Sequence, residues 1–196
     1  MNTPLSDTAL DQLFRTARTY NGYLDTPVSE AQLHAIWELM KYGPTSANCL
    51  PARIIWCVST EAKEKLAALS MPANGEKILK APVTAIIGMD MEFYEQLPEL
   101  FPHTDARSWF VGNAELIEKT AFRNSSLQGG YFILAARALG LDTGAMSGFN
   151  NQAVDEAFFA GTNIKSNFIS TLGYGDPASI FDRSPRPGFE RFNTIA

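Results

Sequence analysis

The chain has 196 residues, 45% hydrophobic and 19% charged, with a net charge of −5. That length suffices for one substantial core, and the acidic balance argues against a nucleic-acid binder, whose footprint is a basic face. Two cysteines (Cys49, Cys57) and two separated histidines (His34, His103) are too few for a disulfide scaffold or a Cys/His metal centre, and no apolar run reaches the roughly 20 residues a membrane-spanning helix needs.

Met1 to Asp7 lacks a basic n-region and an apolar h-region, so no signal peptide is read there, and a reducing, cytoplasmic setting is the default expectation. Asp7 to Thr19 reads as a helix with Leu10, Leu13, Phe14 and Ala17 on one face, broken by Asn21-Gly22. Ser29-Glu30-Ala31-Gln32 is a capping box opening a helix with Leu33, Ile36, Trp37 and Met40 inward, and Gly43-Pro44 ends it. Arg53 to Val58 is β-branched and aromatic, hence a strand. Helices are expected over Glu61 to Leu69 and Ala73 to Lys80, then a buried strand over Pro82 to Gly88. Glu92 to Phe110 is less regular. Asn113 to Leu139 carries a long helical pattern, apolar on most faces in its second half and ended by Gly140, as a central buried helix would be. A helix over Gln152 to Phe159 and a strand over Asn167 to Tyr174 follow. The Pro- and Arg-rich tail from Asp176 reads as an extended arm. No repeat or linker divides the chain, so one domain over 1–196 of layered α+β or α/β type is expected.

Four short clusters could carry chemistry. Arg15 to Asn21 offers guanidinium forks and hydroxyls suited to phosphate, or simply cations at a helix C-terminus. Gly43 to Arg53 is a turn rich in Pro, hydroxyls and a carboxamide, able to hydrogen-bond a flat polar ring or merely to stop a helix. Asn74 and Lys77 share one helical face. Gly140 to Phe149 has three glycines after a buried helix, which allow close backbone approach to a ligand or make an irregular connection. There is no Gly-x-Gly-x-x-Gly after a strand, no Walker loop, no His-Glu-x-x-His and no nucleophile elbow. His103 reads as a packed loop residue.

The order and spacing of these clusters resemble the FMN-dependent nitroreductase-like flavoproteins from about Arg15 to the C-terminus. The family's opening Arg-Ser-x-Arg is answered by Arg18-Thr19-Tyr20-Asn21, and its Pro-Ser-Ser-x-Asn-x-Gln-Pro-Trp-Arg turn by Pro44 to Arg53. Its Asn-x-x-Lys pair is answered by Asn74 and Lys77, its Gly-Leu-rich stretch by Gly140 to Phe149, and its final Gly-Tyr with a basic segment by Gly173-Tyr174, Arg183 and Arg186. Within the family the likeness is to the malonic semialdehyde reductases of pyrimidine degradation, carried by Phe101-Pro102-His103, Asp105 to Phe110, Thr120 to Ser126, Leu141 to Gly144 and Met146 to Phe149. The chain departs from the family pattern at Asn21 (arginine), Leu50 and Ala52 (Gln and Trp) and Ser147 (often Glu).

The resemblance implies a three-layer α/β/α sandwich with a central, mostly antiparallel sheet. It further implies an extended C-terminal arm exchanged in a homodimer, with FMN at the interface. NADH or NADPH would reduce the flavin, which would pass hydride to malonic semialdehyde. Arg18, Thr19, Asn21, Arg183 and Arg186 would hold the phosphate. Thr45, Ser46, Asn48 and Asn74 would bond the ring, and Ala145, Met146, Ser147 and Gly148 would line it. Lys77 and Ser147 are the catalytic candidates, Lys77 beside the ring edge that gains negative charge on reduction. Arg107 and Arg123 are candidates for the substrate carboxylate, with a structural role as the alternative for either. The rival activities are a broad-scope nitro, quinone or enal reductase, and a flavin-binding protein without turnover.

Overall fold

The computed structural model describes residues 3–196, so the N-terminal reading at Met1 and Asn2 lies outside the described residues. Helix starts follow local capping chemistry. The Ser29 hydroxyl accepts the Gln32 N–H while the Gln32 side chain accepts the Ser29 N–H at 2.9 Å, opening α2 (Glu30–Met40). Ser59 caps α3 (Thr60–Ala68), Pro72 fills the first position of α4 (Pro72–Lys80), Asn113 caps α6 (Ala114–Ala138) and Asn150 caps α7 (Asn151–Phe158). Single turns α1 (Asp7–Leu10), α5 (Leu97–Leu100) and α8 (Phe189–Phe192) complete the α-helices of the described residues.

Four strands, β1 (Ala52–Cys57), β2 (Val83–Asp90), β3 (Asp142–Met146) and β4 (Ile164–Gly173), form an antiparallel sheet in the order β1-β2-β4-β3. Its side chains alternate between two cores. Val83, Ala85, Ile87 and Leu172 pack with Leu33, Ile36 and Met40 of α2 and Phe132 and Ala136 of α6. Ile86, Ile169 and Cys57 pack on the other face with Leu66 of α3, Ile78 of α4 and Val154 of α7. Helices on both faces explain why β2 is buried without a break from Val83 to Met89. The result is the expected three-layer α+β sandwich. A third cluster, with Cys49, Phe93, Leu97, Ala106, Phe110 and Ala121, seals the excursion between β2 and α6. Among the described residues no helix is long and apolar enough to cross a membrane.

Three expectations are corrected. Trp37, read as part of the inward stripe of α2, is exposed, and only Leu33, Ile36 and Met40 of that helix are buried. The first helix does not run to Thr19: it stops at Leu10 and continues as one wide turn, Asp11–Arg15. The Thr16 hydroxyl then donates to Asp11 O at 3.0 Å, competing with the helical ladder, and Thr19 bridges Thr143 of β3. Within Gly140 to Phe149, read above as either a ligand-approaching segment or an irregular connection, Asp142–Met146 forms an edge strand that the sequence reading did not assign. Its central Gly144 is required by close packing, because a Cβ there would stand 2.5 Å from Thr171 Oγ1. The tail keeps its expected extended character apart from the single turn α8, and is exposed from Phe181 onward.

Candidate functional site

Four arginines converge on a cleft of about 380 Å³ between the segment after α1 and the C-terminal tail. Arg18, Thr19, Asn21, Arg183 and Arg186 line it together, as the sequence implied, and Arg137 from the last turn of α6 joins them. Local bonds build the walls. Arg18 donates to Phe181 O, Arg183 to Ala17 O at 2.9 Å and the Asn21 amide to Ser179 O at 2.9 Å. Arg137 donates to Leu13 O at 2.9 Å. Asn21 thus pins the tail with its one side-chain donor group, and the cationic work falls to four arginines.

Asp182 also lines the cleft, but none of the four arginines has an ion-pair partner among the described residues. Burial pushes the Arg137 guanidinium below its ordinary value; nearby Asp142 opposes that shift, while Arg183 adds to it by repulsion. Like charges held together and partly desolvated make a receptor for an anion.

From this cleft β3 runs as a ledge. Thr19 bridges Thr143 at its start, and Ala145, Met146, Ser147 and Gly148 continue to its far end. There the Asn74 amide donates to Gly148 O at 3.0 Å, and Met71 N donates to the same carbonyl at 2.9 Å, joining the start of α4 to the ledge. A Cβ at Gly148 would stand 2.6 Å from Asn74 Nδ2, so this approach needs glycine. Lys77 lies three residues along α4 from Asn74, half-buried and without an ion pair among the described residues. Ala145 and Ser147 are exposed, and Met146 packs down against the core beneath. Arginine cleft, β3 and the Asn74-Lys77 face of α4 are thus linked in series, by the Thr19–Thr143 bridge at one end and the Asn74–Gly148 bond at the other.

The Pro44 to Leu50 turn is elsewhere on the chain. Ser46 N donates to Asn124 Oδ1 at 2.8 Å, and the Asn48 amide donates to Leu100 O at 2.9 Å. Asn124 precedes Arg137 by 13 residues of α6, which is about 20 Å of helix. Thr45, Ser46 and Asn48 are thus not brought to the arginine cleft within one chain.

The two arginines read as candidates for a substrate carboxylate lie near this turn but differ in state. Arg107 is clasped by Glu95, with Nε and Nη2 each 2.7 Å from a carboxylate oxygen, and its guanidinium lies 6.0 Å from the centre of the Tyr94 ring. That pair holds the Glu95 carboxyl below the usual range. Arg123 is exposed on α6 in an apolar hollow with Phe122, Leu127, Tyr131 and Leu134, without an ion pair among the described residues. Sequence reasoning missed Arg137 and Asn124. Arg137 reads as an ordinary cation in the last turn of a helix, and Asn124 as one polar residue in a helical run; only the fold reveals their partners.

Comparison with known proteins bears on all of this. The family model described as "Nitroreductase family" matches residues 14–174. A Burkholderia lata protein named "Putative NADH dehydrogenase/NAD(P)H nitroreductase" is 62% identical over 188 residues, covering 96% of each chain. A Stenotrophomonas maltophilia protein of the same description is 58% identical over 196 residues and the full length of both. A crystal structure of a "putative nitroreductase in complex with FMN" from Exiguobacterium sibiricum has the same fold, with a TM-score of 0.86 at 20% identity over 100% of each chain. With its matching segment spanning the cleft's N-terminal half, the ledge and the whole sheet, this chain belongs to the Nitroreductase family.

Proposed function

We propose that the chain is an FMN-dependent NAD(P)H oxidoreductase and that its substrate is malonic semialdehyde, reduced to 3-hydroxypropionate. The observation that carries the reading is the four-arginine cleft, joined through Thr19 to β3, beyond whose far end Gly148 is held by Asn74, one turn from Lys77. Cations crowded without carboxylate partners fit a dianionic phosphate, and the exposed Ala145 and Ser147 positions leave a face of the ledge against which a flat ring can lie. Bound there, FMN supplies two-electron hydride chemistry between a nicotinamide and an electrophilic carbon.

The residues divide the remaining work. Arg18, Arg137, Arg183 and Arg186 bind the phosphate, Thr19 adds its hydroxyl, and Asn21 keeps the tail closed over them. Asn74 spends its amide N–H on Gly148 O, which leaves its carbonyl as an acceptor for a ring N–H. The Lys77 ammonium favours electron density gathered on the near edge of the ring. Exposed Ser147 Oγ relays a solvent proton to the alkoxide left when an aldehyde carbon accepts hydride. Unpaired Arg123 reads the substrate carboxylate, whereas Arg107 already holds Glu95.

The turn residues Thr45, Ser46 and Asn48 reach the same cofactor from a second chain. Their displacement along α6 and the exposed apolar side chains Phe122 and Leu127 support a homodimer with FMN at its interface. One rival is favoured by the relatives' names, a nitroreductase of broad scope. Steady-state rates decide between them: kcat/KM for malonic semialdehyde should exceed that for nitrofurazone, and a preference of about 100-fold for the nitro compound, some 2.7 kcal/mol, would overturn the choice.

A further inference from the structure

One face of α6 carries polar side chains at helical spacing where an apolar stripe would pack: Thr120, Asn124 and Gln128, at 6%, 1% and 0% exposure. Polar groups persist at such depth when they are bonded. Asn124 Oδ1 accepts the Ser46 N–H at 2.8 Å and its amide donates to Thr120 O at 2.9 Å. Gln128 Oε1 accepts the Ala52 N–H at 2.8 Å. Two carboxamides one helical turn apart therefore grip the two ends of a single turn of chain.

Between the grips the backbone is strained. Ala47, Asn48 and Leu50 have φ of 48°, 51° and 37°, the left-handed region that side chains disfavour, and none is glycine. Such conformations last when the surroundings over-determine them. Here the Thr45 hydroxyl accepts Leu50 N–H at 3.3 Å, the Asn48 amide donates to Leu100 O at 2.9 Å and Tyr131 OH donates to Pro44 O at 2.9 Å. The outcome is a rigid loop whose outer surface shows Ser46 and Asn48, both exposed. A turn serving only to link α2 to β1 would relieve this strain with glycine. Gln128 Nε2 is also buried without a partner among the described residues, although its oxygen is fixed toward Ala52 N–H. The carboxamide is kept for its acceptor even at the cost of an unmet donor.

We propose that Asn124 and Gln128 are positioning residues that hold the 45–52 turn in the left-handed shape needed to present Ser46 and Asn48 to the flavin of a second copy of the chain. The inference rests on the FMN reading above. Asn124→Leu and Gln128→Met each remove a grip at nearly constant volume. Hydrogen exchange on the cofactor-free protein reports the turn itself, and fluorescence titration with FMN reports its function. In each variant, exchange over 46–52 should quicken by about tenfold or more while β2 and β4 stay protected, and the FMN dissociation constant should rise about tenfold. Adding Ala47→Gly to Asn124→Leu should recover thermal stability, because it relieves strain, and should leave FMN affinity low, because the grip is still missing. Should Asn124→Leu not fold, Gln128→Met carries the test alone. Variants that bind FMN as wild type does, whatever their exchange, overturn the proposal. Wild-type protein that binds no FMN is a different failure: it sinks the functional reading, and the positioning role with it.

Discussion

Arg137 is the residue on which the anion cleft turns. It is the cleft's one cation from the central helix, and it is partly buried beside a second guanidinium, Arg183. Arg137→Ala should weaken FMN binding about tenfold while leaving riboflavin binding unchanged, since only the phosphate is lost from the latter. Parallel fluorescence titrations with the two flavins check this; equal losses for both would place Arg137 in the fold and not at the phosphate. Lys77 makes the contrasting case. Lys77→Ala should slow anaerobic flavin reduction by NAD(P)H in stopped flow more than it weakens FMN binding, because a cation beside the ring stabilises the reduced state more than the oxidised one. An unchanged reduction rate would remove Lys77 from the mechanism. Arg18, Thr19, Arg183 and Arg186 were named through the family resemblance, since alone they read as a helix end and an arm, and the structure gathers them in one cleft. Arg137, Asn124 and Gln128 were not, because each looks ordinary within its helix. Their meaning lies in partners 76 to 124 residues away in sequence.

At the scale of elements, β3 decides how cleft and ledge connect. Its Gly144-Ala145 core has little strand propensity, and it lies at the sheet edge, so the local pattern suggested a loop. What makes it a strand is tertiary: five residues paired with β4 from Asp142–Gly173 to Met146–Ile169. Gly144→Ala would push a methyl toward Thr171 Oγ1 and Tyr20 O. A loss of about 1–3 kcal/mol is expected, read as a lower midpoint in urea with an unchanged slope. A wild-type midpoint would mean that the ledge yields easily and is not a fixed platform. The long α6, the strand β2 and the capping box of α2 were all readable from sequence, since each rests on local periodicity or local hydrogen bonding. The early end of the first helix was not, because it depends on Thr19 meeting β3.

The whole molecule leaves its functional groups in two places, an arginine cleft with its ledge and a strained turn about 20 Å away along α6. In the proposed homodimer a pair of chains would unite them. Leu127, 44% exposed on the open side of α6, should be dispensable to a lone chain and central to a pair. Light scattering should give wild-type protein about twice its 21.5 kDa chain mass. Leu127→Glu should shift it toward one chain mass and lower FMN retention together; a folded single chain that keeps FMN fully would contradict the shared site. The layered sheet was readable from the alternation of helical and strand patterns, but which surfaces of it stay open was not, because burial depends on the packed molecule.

The most direct measurement is an anaerobic absorbance titration of the FMN-loaded protein. NADH or NADPH should bleach the band near about 450 nm where oxidised flavins absorb, and malonic semialdehyde added next should restore it in proportion to the 3-hydroxypropionate formed. A flavin that stays yellow with both nicotinamides, or a protein that takes up no FMN, would contradict the account.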